Sequence, residues 1–296
     1  MKYYHGADRR GAYFEGWYLK HQGAEGEFAV IPAFHRDRRG TESASIQVVT
    51  RGAGKLFTFP ARSFQAWPDR FQVRVGANWF SQEGLHLELE EPGFSLRGDL
   101  RYGPFHPLTS DIMGPFRFAP GLPCVHGVLS MEHRVDGMVS LNGAPCFFSR
   151  GKGYAETDRG RSFPSQYLWT QCSWQERQRG SLMLSLARIP LPVGSFTGCI
   201  GEICFAGSSY RLATYRGVRI EEWSEAGASI RQGELRLTVE VLDRAPAELM
   251  APERGSMSRV IRESLCARVR YRFWEGERLV FDHEDDRASF EYAGPD

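Results

Sequence analysis

Lysine is almost missing from this chain. Only Lys2, Lys20, Lys55 and Lys152 occur among 37 basic residues, and 36 acidic residues leave a formal net charge of +1. A near-neutral chain projects no global field toward nucleic acid or an anionic membrane. The arginine bias reads as codon or lineage preference before it reads as polyanion binding. No aromatic-studded basic stripe of the kind a single-stranded nucleic acid needs is present. The six cysteines, Cys124, Cys146, Cys172, Cys199, Cys204 and Cys266, show no CxxC spacing, and the eight histidines form no HxxxH or HExxH pair. The cysteines therefore read as small buried hydrophobes rather than a disulfide frame, and no metal centre is expected. No glycine-rich phosphate loop opens a helix, and no GxSxG elbow occurs, so neither a nucleotide cofactor nor a serine hydrolase is expected. The opening residues MKYYHGADRRGAYFEGW lack the apolar core of a signal peptide, and no run is long enough for a membrane-spanning helix. The expectation is a cytoplasmic protein without a transmembrane segment. Peripheral membrane contact and oligomeric state are left open.

Alternation with a period of two is abundant. Leu85, Leu87 and Leu89 interleave with His86, Glu88 and Glu90. Leu235, Leu237, Val239 and Val241 interleave with Arg236, Thr238 and Glu240, and Val269, Tyr271 and Phe273 with arginines. This is the pattern of half-buried antiparallel strands. Asp136-Gly137, Asn142-Gly143 and Glu275-Gly276 punctuate these runs at hairpin spacing. Helical periodicity is scarce, with a turn or two expected near Pro164–Tyr167 and Gly255–Arg259.

The two halves resemble each other. Gly16-Trp17-Tyr18-Leu19-Lys20 followed by Phe28–Ile31 answers Leu168-Trp169-Thr170-Gln171-Cys172 followed by Leu182–Ser185, with Trp17 set against Trp169. Ser45–Thr50 and Leu56–Phe59 answer Cys199–Phe205 and Tyr210–Thr214. Leu85–Glu91 answers Leu235–Val241, and Gly127–Ser140 answers Leu265–Phe281. An ordered repeat of this length predicts an all-β chain of two tandem antiparallel barrels related by internal duplication. The domains expected are 1–160 and 161–296. A pocket is expected inside a barrel or between the two.

The densest chemistry lies in Gly151–Trp174. Tyr154, Glu156 and Asp158 share one face of a strand, and Tyr167, Trp169 and Gln171 share a face of the next. Two carboxylates and a phenol beside an aromatic strand suit a pocket, and they equally suit a buried polar network. In Tyr13–Lys20, Glu15 and Trp17 share one face and Tyr18 the other; desolvation beside tryptophan would raise a carboxyl pKa, whereas pairing with an arginine would make Glu15 structural. His126, Ser130 and Glu132 share a strand face. Spacings of four and six residues separate them by about 13 Å and 20 Å, too far for one relay. His126 alone is kept as a ligand-contact candidate. Leu108–Pro123, rich in Gly, Pro and large apolar residues, reads as a rim over a pocket or a packed loop.

The ordered set FEGWYLK, GPFRFAPGLPCVHGVLSMEH, GYAETDRGRSFP, LWTQC, GSFTGCI, YRLATYRGV and APERGSMSRVIRES resembles the tocopherol cyclase family, especially its bacterial branch. The resemblance spans nearly the whole chain. It implies two lipocalin-like barrels, a hydrophobic small molecule as substrate, and no redox cofactor or metal. Relatives of the wider group include carotenoid hydratase-like proteins, and the plant members close a chromanol ring on a prenylated hydroquinone. The family's Tyr-x-Glu-Lys-(Asp/Asn)-Trp-Gly motif falls on Tyr154, Glu156, Thr157, Asp158, Arg159 and Gly160, with Thr157 for the lysine and Arg159 for the tryptophan. Both departures alter the charge and wall of a pocket. The chemistry implied is protonation of a prenyl double bond by an acid kept neutral in an apolar pocket, with aromatic faces stabilising the cation. On this reading Asp158 is the proton donor or its orienter and Glu156 the alternate. Tyr154, Trp17, Tyr18, Glu15, Trp169, Gln171 and His126 line the substrate. The enzyme expected is a cofactor-independent cyclase or isomerase. The alternatives are an isoprenoid hydratase and a non-catalytic carrier of a hydrophobic ligand.

Overall fold

A computed structural model describes residues 2–119, 121–175, 178–190 and 194–294. The described chain is all-β, with two large antiparallel sheets and a few single turns of 3-10 helix. The first sheet is built from β1 (Tyr13–Gln22), β2 (Glu27–Arg36), β3 (Glu42–Thr50), β4 (Ala53–Pro60), β5 (Phe64–Ala66), β6 (Gln72–Val75), β7 (Asn78–Ser81), β8 (Gly84–Glu91), β9 (Phe94–Tyr102), β10 (Cys124–Leu141) and β11 (Ala144–Gly160). The second holds β12 (Tyr167–Trp174), β13 (Gly180–Pro190), β14 (Ser195–Phe205), β15 (Ser208–Ala213), β16 (Arg219–Ser224), β17 (Gly227–Gln232), β18 (Leu235–Asp243), β19 (Ala247–Glu253), β20 (Ser256–Glu275) and β21 (Arg278–Ala293).

The spatial orders are β4-β3-β2-β1-β11-β10-β9-β8-β7-β6-β5 and β15-β14-β13-β12-β21-β20-β18-β17-β16. In both, the first strand pairs with the second and with the last, which curls the sheet. Both stop short of closure at the same place. The edges β4 and β5 are joined by the 3-10 turn Ala61–Ser63, and the edges β15 and β16 by the turn Thr214–Arg216. Each curled sheet fills its own interior with hydrocarbon. Trp17, Leu19, Val30 and Ile46 belong to the first core, and Leu168, Leu184, Val269 and Phe273 to the second.

The repeat read from sequence holds strand for strand for β1–β4 against β12–β15, with Trp17 and Trp169 one residue out of register. Elsewhere the strands themselves are mismatched. By position in the sheets, β8 matches β17 and not β18. Asp136-Gly137 is a bulge inside β10, and the turn between β10 and β11 is Asn142-Gly143. Both residues of that turn have positive φ, 52° and 83°, as a tight two-residue hairpin requires. No helix forms at 164–167 or at 255–259, where strands β12 and β20 begin; alternating apolar residues there join existing ladders.

A third apolar cluster lies between the barrels and draws on both, including Tyr18, Tyr154, Trp169, Met183, Leu249 and Leu265. The β19–β20 hairpin has no counterpart in the first half and reaches across to it. The Gln47 side chain on β3 accepts from the Met250 N–H and donates to the Met250 carbonyl, both at 2.8 Å, imitating a rung of sheet. Gly54 permits this approach, since a Cβ there would lie 2.2 Å from the Glu248 carbonyl oxygen.

Candidate functional site

Between the barrels lies a cavity of about 170 Å³, bounded by β1, β11 and β10 on one side and by β12, β14, β20 and β21 on the other. Its walls are mostly apolar, and the segment 108–123 supplies Met113, Phe116 and Leu122. That segment is a rim of the pocket. Four carboxyl groups nevertheless face the cavity: Glu156, Asp158, Glu263 and Glu291.

Strand pairing assembles the first group. In the β10–β11 ladder His126 stands opposite Asp158, and Glu156 lies two residues along on the same face. His126 Nδ1 is 3.0 Å from Asp158 Oδ1, and Nε2 is 3.3 Å from Glu156 Oε2. Cys124 Sγ also donates to Asp158 Oδ1, at 3.3 Å. Glu156 Oε2 accepts from the Tyr154 hydroxyl at 2.6 Å and from the Trp169 indole N–H at 3.2 Å. Among the described residues no side-chain donor bonds to Glu156 Oε1. Burial works against an imidazolium at His126, but the Asp158 and Glu156 carboxylates outweigh it and lift His126 to about 9. Burial, with repulsion from Asp158, raises the Glu156 carboxyl to about 7 against the pull of His126 and Tyr154. At neutral pH this group holds protons that a solvated Glu-His-Asp set would have released.

The opposite wall repeats the theme. Tyr18 donates to Glu263 Oε1 at 2.5 Å and lies 3.1 Å from Ser289 Oγ. Burial lifts Glu263 to about 7, although Tyr18 and Lys20 favour its carboxylate. Glu291 accepts from the Tyr167 hydroxyl, and burial together with Glu263 holds its carboxyl well above the usual range. The Tyr18 and Trp169 rings meet edge to face at 5.2 Å, closing the floor between the walls.

Of the residues singled out from sequence, Asp158, Glu156, His126, Tyr18 and Trp169 line this cavity. Tyr154 stands behind Glu156 and fixes it. Three others lie elsewhere. Trp17 packs inside the first barrel. Glu15 is tied on that same face to the His5 imidazole at 2.8 Å and to Tyr13 at 2.7 Å, not to an arginine. Gln171 donates to Ser173 Oγ. Neither Glu263 nor Glu291 is among the residues named from sequence, and Tyr167 is placed there beside Trp169 on a strand face without being made a site residue. Glu263 lies within APERGSMSRVIRES, one of the stretches that carry the family resemblance.

Linear spacing had suggested no metal-ligating set. In three dimensions, two sets of potential ligand atoms each lie within 4.8 Å of one another: His126, Glu156 and Asp158, and separately Cys172, His283 and Asp285. Strand pairing gathers what the linear sequence spreads apart.

Two curled sheets with a carboxyl-rich, otherwise apolar chamber between them define a lipocalin-like double-barrel protein. A profile of the tocopherol cyclase-like family matches residues 118–294, and the chain belongs to that family. No curated protein matches the chain in sequence. Among solved structures it is similar to an AttH-type protein of Nitrosomonas europaea at 14% identity and TM-score 0.52, covering 95% of this chain and 92% of that one. It is also similar to kievitone hydratase of Nectria haematococca at 10% identity and TM-score 0.52, covering 96% and 89%. At these identities the likeness is one of fold. No helix of the described residues is long and apolar enough to cross a membrane.

Proposed function

We propose that this protein is a cofactor-independent enzyme that protonates a carbon–carbon double bond of a hydrophobic, prenylated or polyene small molecule held between its barrels, one barrel formed by residues 1–160 and the other by 161–296. The observation that carries the reading is Glu156. Its Oε2 is occupied by Tyr154 and Trp169 with His126 alongside, its Oε1 is free of side-chain donors, and its carboxyl is partly protonated near neutrality. In a mostly apolar chamber that is the state a general acid needs.

In the step proposed, the Oε1 proton passes to the less substituted alkene carbon and leaves a tertiary cation. The carboxylate formed is balanced by the His126 imidazolium, which Asp158 orients. The aromatic rings of Trp169 and Tyr18 line the chamber and would stabilise the cation. A phenol oxygen of the same molecule attacks the cation, a C–O bond forms, and the phenol proton returns to Glu156. The result is an isomerisation with no net change in atoms or electrons. Water in place of the phenol gives hydration by the same route. The family favours ring closure. Carboxyl groups on both walls favour catalysis over simple carriage, because a carrier gains nothing from burying four of them.

The test is incubation of a prenylated methylhydroquinone with the protein in D2O, followed by mass spectrometry. Wild type is expected to place one deuterium on carbon per turnover. Glu156→Gln is expected to lower the rate by about 10²–10⁴-fold while ligand quenching of tryptophan fluorescence persists. Full activity in Glu156→Gln would remove it as the acid. Quenching without turnover in wild type would favour the carrier.

A further inference from the structure

We propose that Cys172, His283 and Asp285 form a binding site for a divalent transition metal of the zinc class, placed at the seam of the second barrel and separate from the chamber. The ladder between β12 and β21 runs from Tyr167↔Ala293 to Gln171↔Ser289 and stops there, although β12 continues to Trp174 and β21 begins at Arg278. At the same place the β20–β21 register slips between Ala267↔Ala288 and Val269↔Asp285. A bulge of this kind re-aims side chains. The ladder therefore ends one residue before Cys172. The Arg287 carbonyl accepts from Lys20 Nζ at 2.9 Å and Gln22 Nε2 at 2.7 Å on β1.

The three potential ligand atoms lie within 4.8 Å of one another. Tetrahedral zinc, with bonds of about 2.0–2.3 Å, sets its ligand atoms about 3.3–3.8 Å apart, so a shift of about an ångström closes the set. His283 Nε2 already stands 3.3 Å from Asp285 Oδ2. The His283 ring stacks on Trp174 at 4.3 Å and 17°, which fixes the imidazole plane. Cys172 and His283 are buried and Asp285 is partly exposed, so the ion and a water as fourth ligand would enter past Asp285. A thiolate and a carboxylate neutralise a dication, and binding releases the thiol proton to solvent. Lys20, whose ammonium is also buried nearby, donates to the Arg287 carbonyl and not to Asp285. The soft sulfur and imidazole select against magnesium and calcium. The bound ion would staple β12 to β21 where their backbone bonds are missing.

The full-length protein, stripped with a chelator, is titrated with Co²⁺. One equivalent is expected to bind with a thiolate-to-cobalt charge-transfer band in the near ultraviolet, and to raise the thermal midpoint. Cys172→Ser is expected to lose the band. His283→Gln and Asp285→Asn, which keep the thiol, are expected to weaken binding at least about tenfold. Asp158→Asn is expected to bind as wild type does. Far-ultraviolet circular dichroism checks that each variant folds, and the two thiol-retaining variants carry the test if Cys172→Ser does not. The proposal falls if wild type gives no thiolate band at millimolar Co²⁺. It also falls if binding survives in all three seam variants, or if it vanishes in Asp158→Asn instead, which would place the ion in the chamber.

Discussion

Residues one apart on the same strand meet two different environments. On β1, Trp17 and Leu19 point into a barrel packed with hydrocarbon, whereas Tyr18 and Lys20 point at the other barrel and meet Glu263, Ser289 and the Arg287 carbonyl. Both environments exclude water, yet only the second gathers four carboxyl groups around one cavity. The difference sets the packed interior apart from the surface on which the proposed site is built. The barrels are filled scaffolds, and the carboxyl groups of the proposed site lie on their outer surfaces, dried by contact with each other.

Substitutions can break this contrast in graded ways. The largest effect on stability is expected from the barrel interior. Trp17→Ala should cost about 3–5 kcal/mol in urea unfolding and leave turnover per folded molecule near wild type. A variant of normal stability and lost activity would instead connect the first barrel to the site. Next comes Glu263 on the chamber side. Its folded pKa of about 7 stands above the ordinary glutamate value of 4.5, so the native state holds an extra proton between those values. Stability attributable to this group is therefore lost as pH rises from about 4.5 to 7, by roughly 3 kcal/mol at 1.36 kcal/mol per unit. Glu263→Gln should be close to wild type at pH 4.5 and more stable by up to about 3 kcal/mol at pH 8, as read from unfolding curves at both pH values. Equal stability at pH 8 would show that the carboxylate is solvated there.

A pH–rate profile sharpens the comparison further. With Glu156 as the acid, kcat/KM should decline with unit slope above about pH 7, while His126 stays cationic until about 9. Asp158→Asn removes the carboxylate that chiefly holds the imidazolium, so the His126 pKa should fall, which NMR titration of the ring reads directly. The smallest effect is expected at the strut between the barrels. Gln47→Leu unpairs both backbone groups of Met250 and should cost about 2 kcal/mol, with faster amide exchange along β19 and little change inside either barrel.

Much of this was legible in the sequence, and the failures share one cause. Alternation told strand from helix, and it placed Tyr154, Glu156 and Asp158 on one face correctly. It could not say which face of β1 or β12 is the interior, because all ten positions of β1 and all eight of β12 are buried. A strand buried on both sides carries no inside–outside signal. For that reason Trp17 and Glu15 are expected to line the substrate together with Tyr18, although they face the first barrel and Tyr18 faces the chamber. The same ambiguity misaligned the repeat. Trp17 was matched to Trp169, but Tyr18 is the residue that shares Trp169's orientation: Tyr18 stands across the ladder from Glu156 as Trp169 does from Glu291. A one-residue slip exchanges the two faces of a strand. Glu263 was missed because only tertiary packing brings β20 against β1, 245 residues away in sequence from Tyr18.

The burial of every position on β1 has one more consequence. Neither half has a finished exterior, because the surface that would face water in a lone barrel carries groups answered only by the other, as Lys20 and Gln22 are by Arg287. Heating should therefore give one calorimetric transition rather than two, and each half expressed alone should aggregate. Two architectural units would then unfold as a single cooperative one.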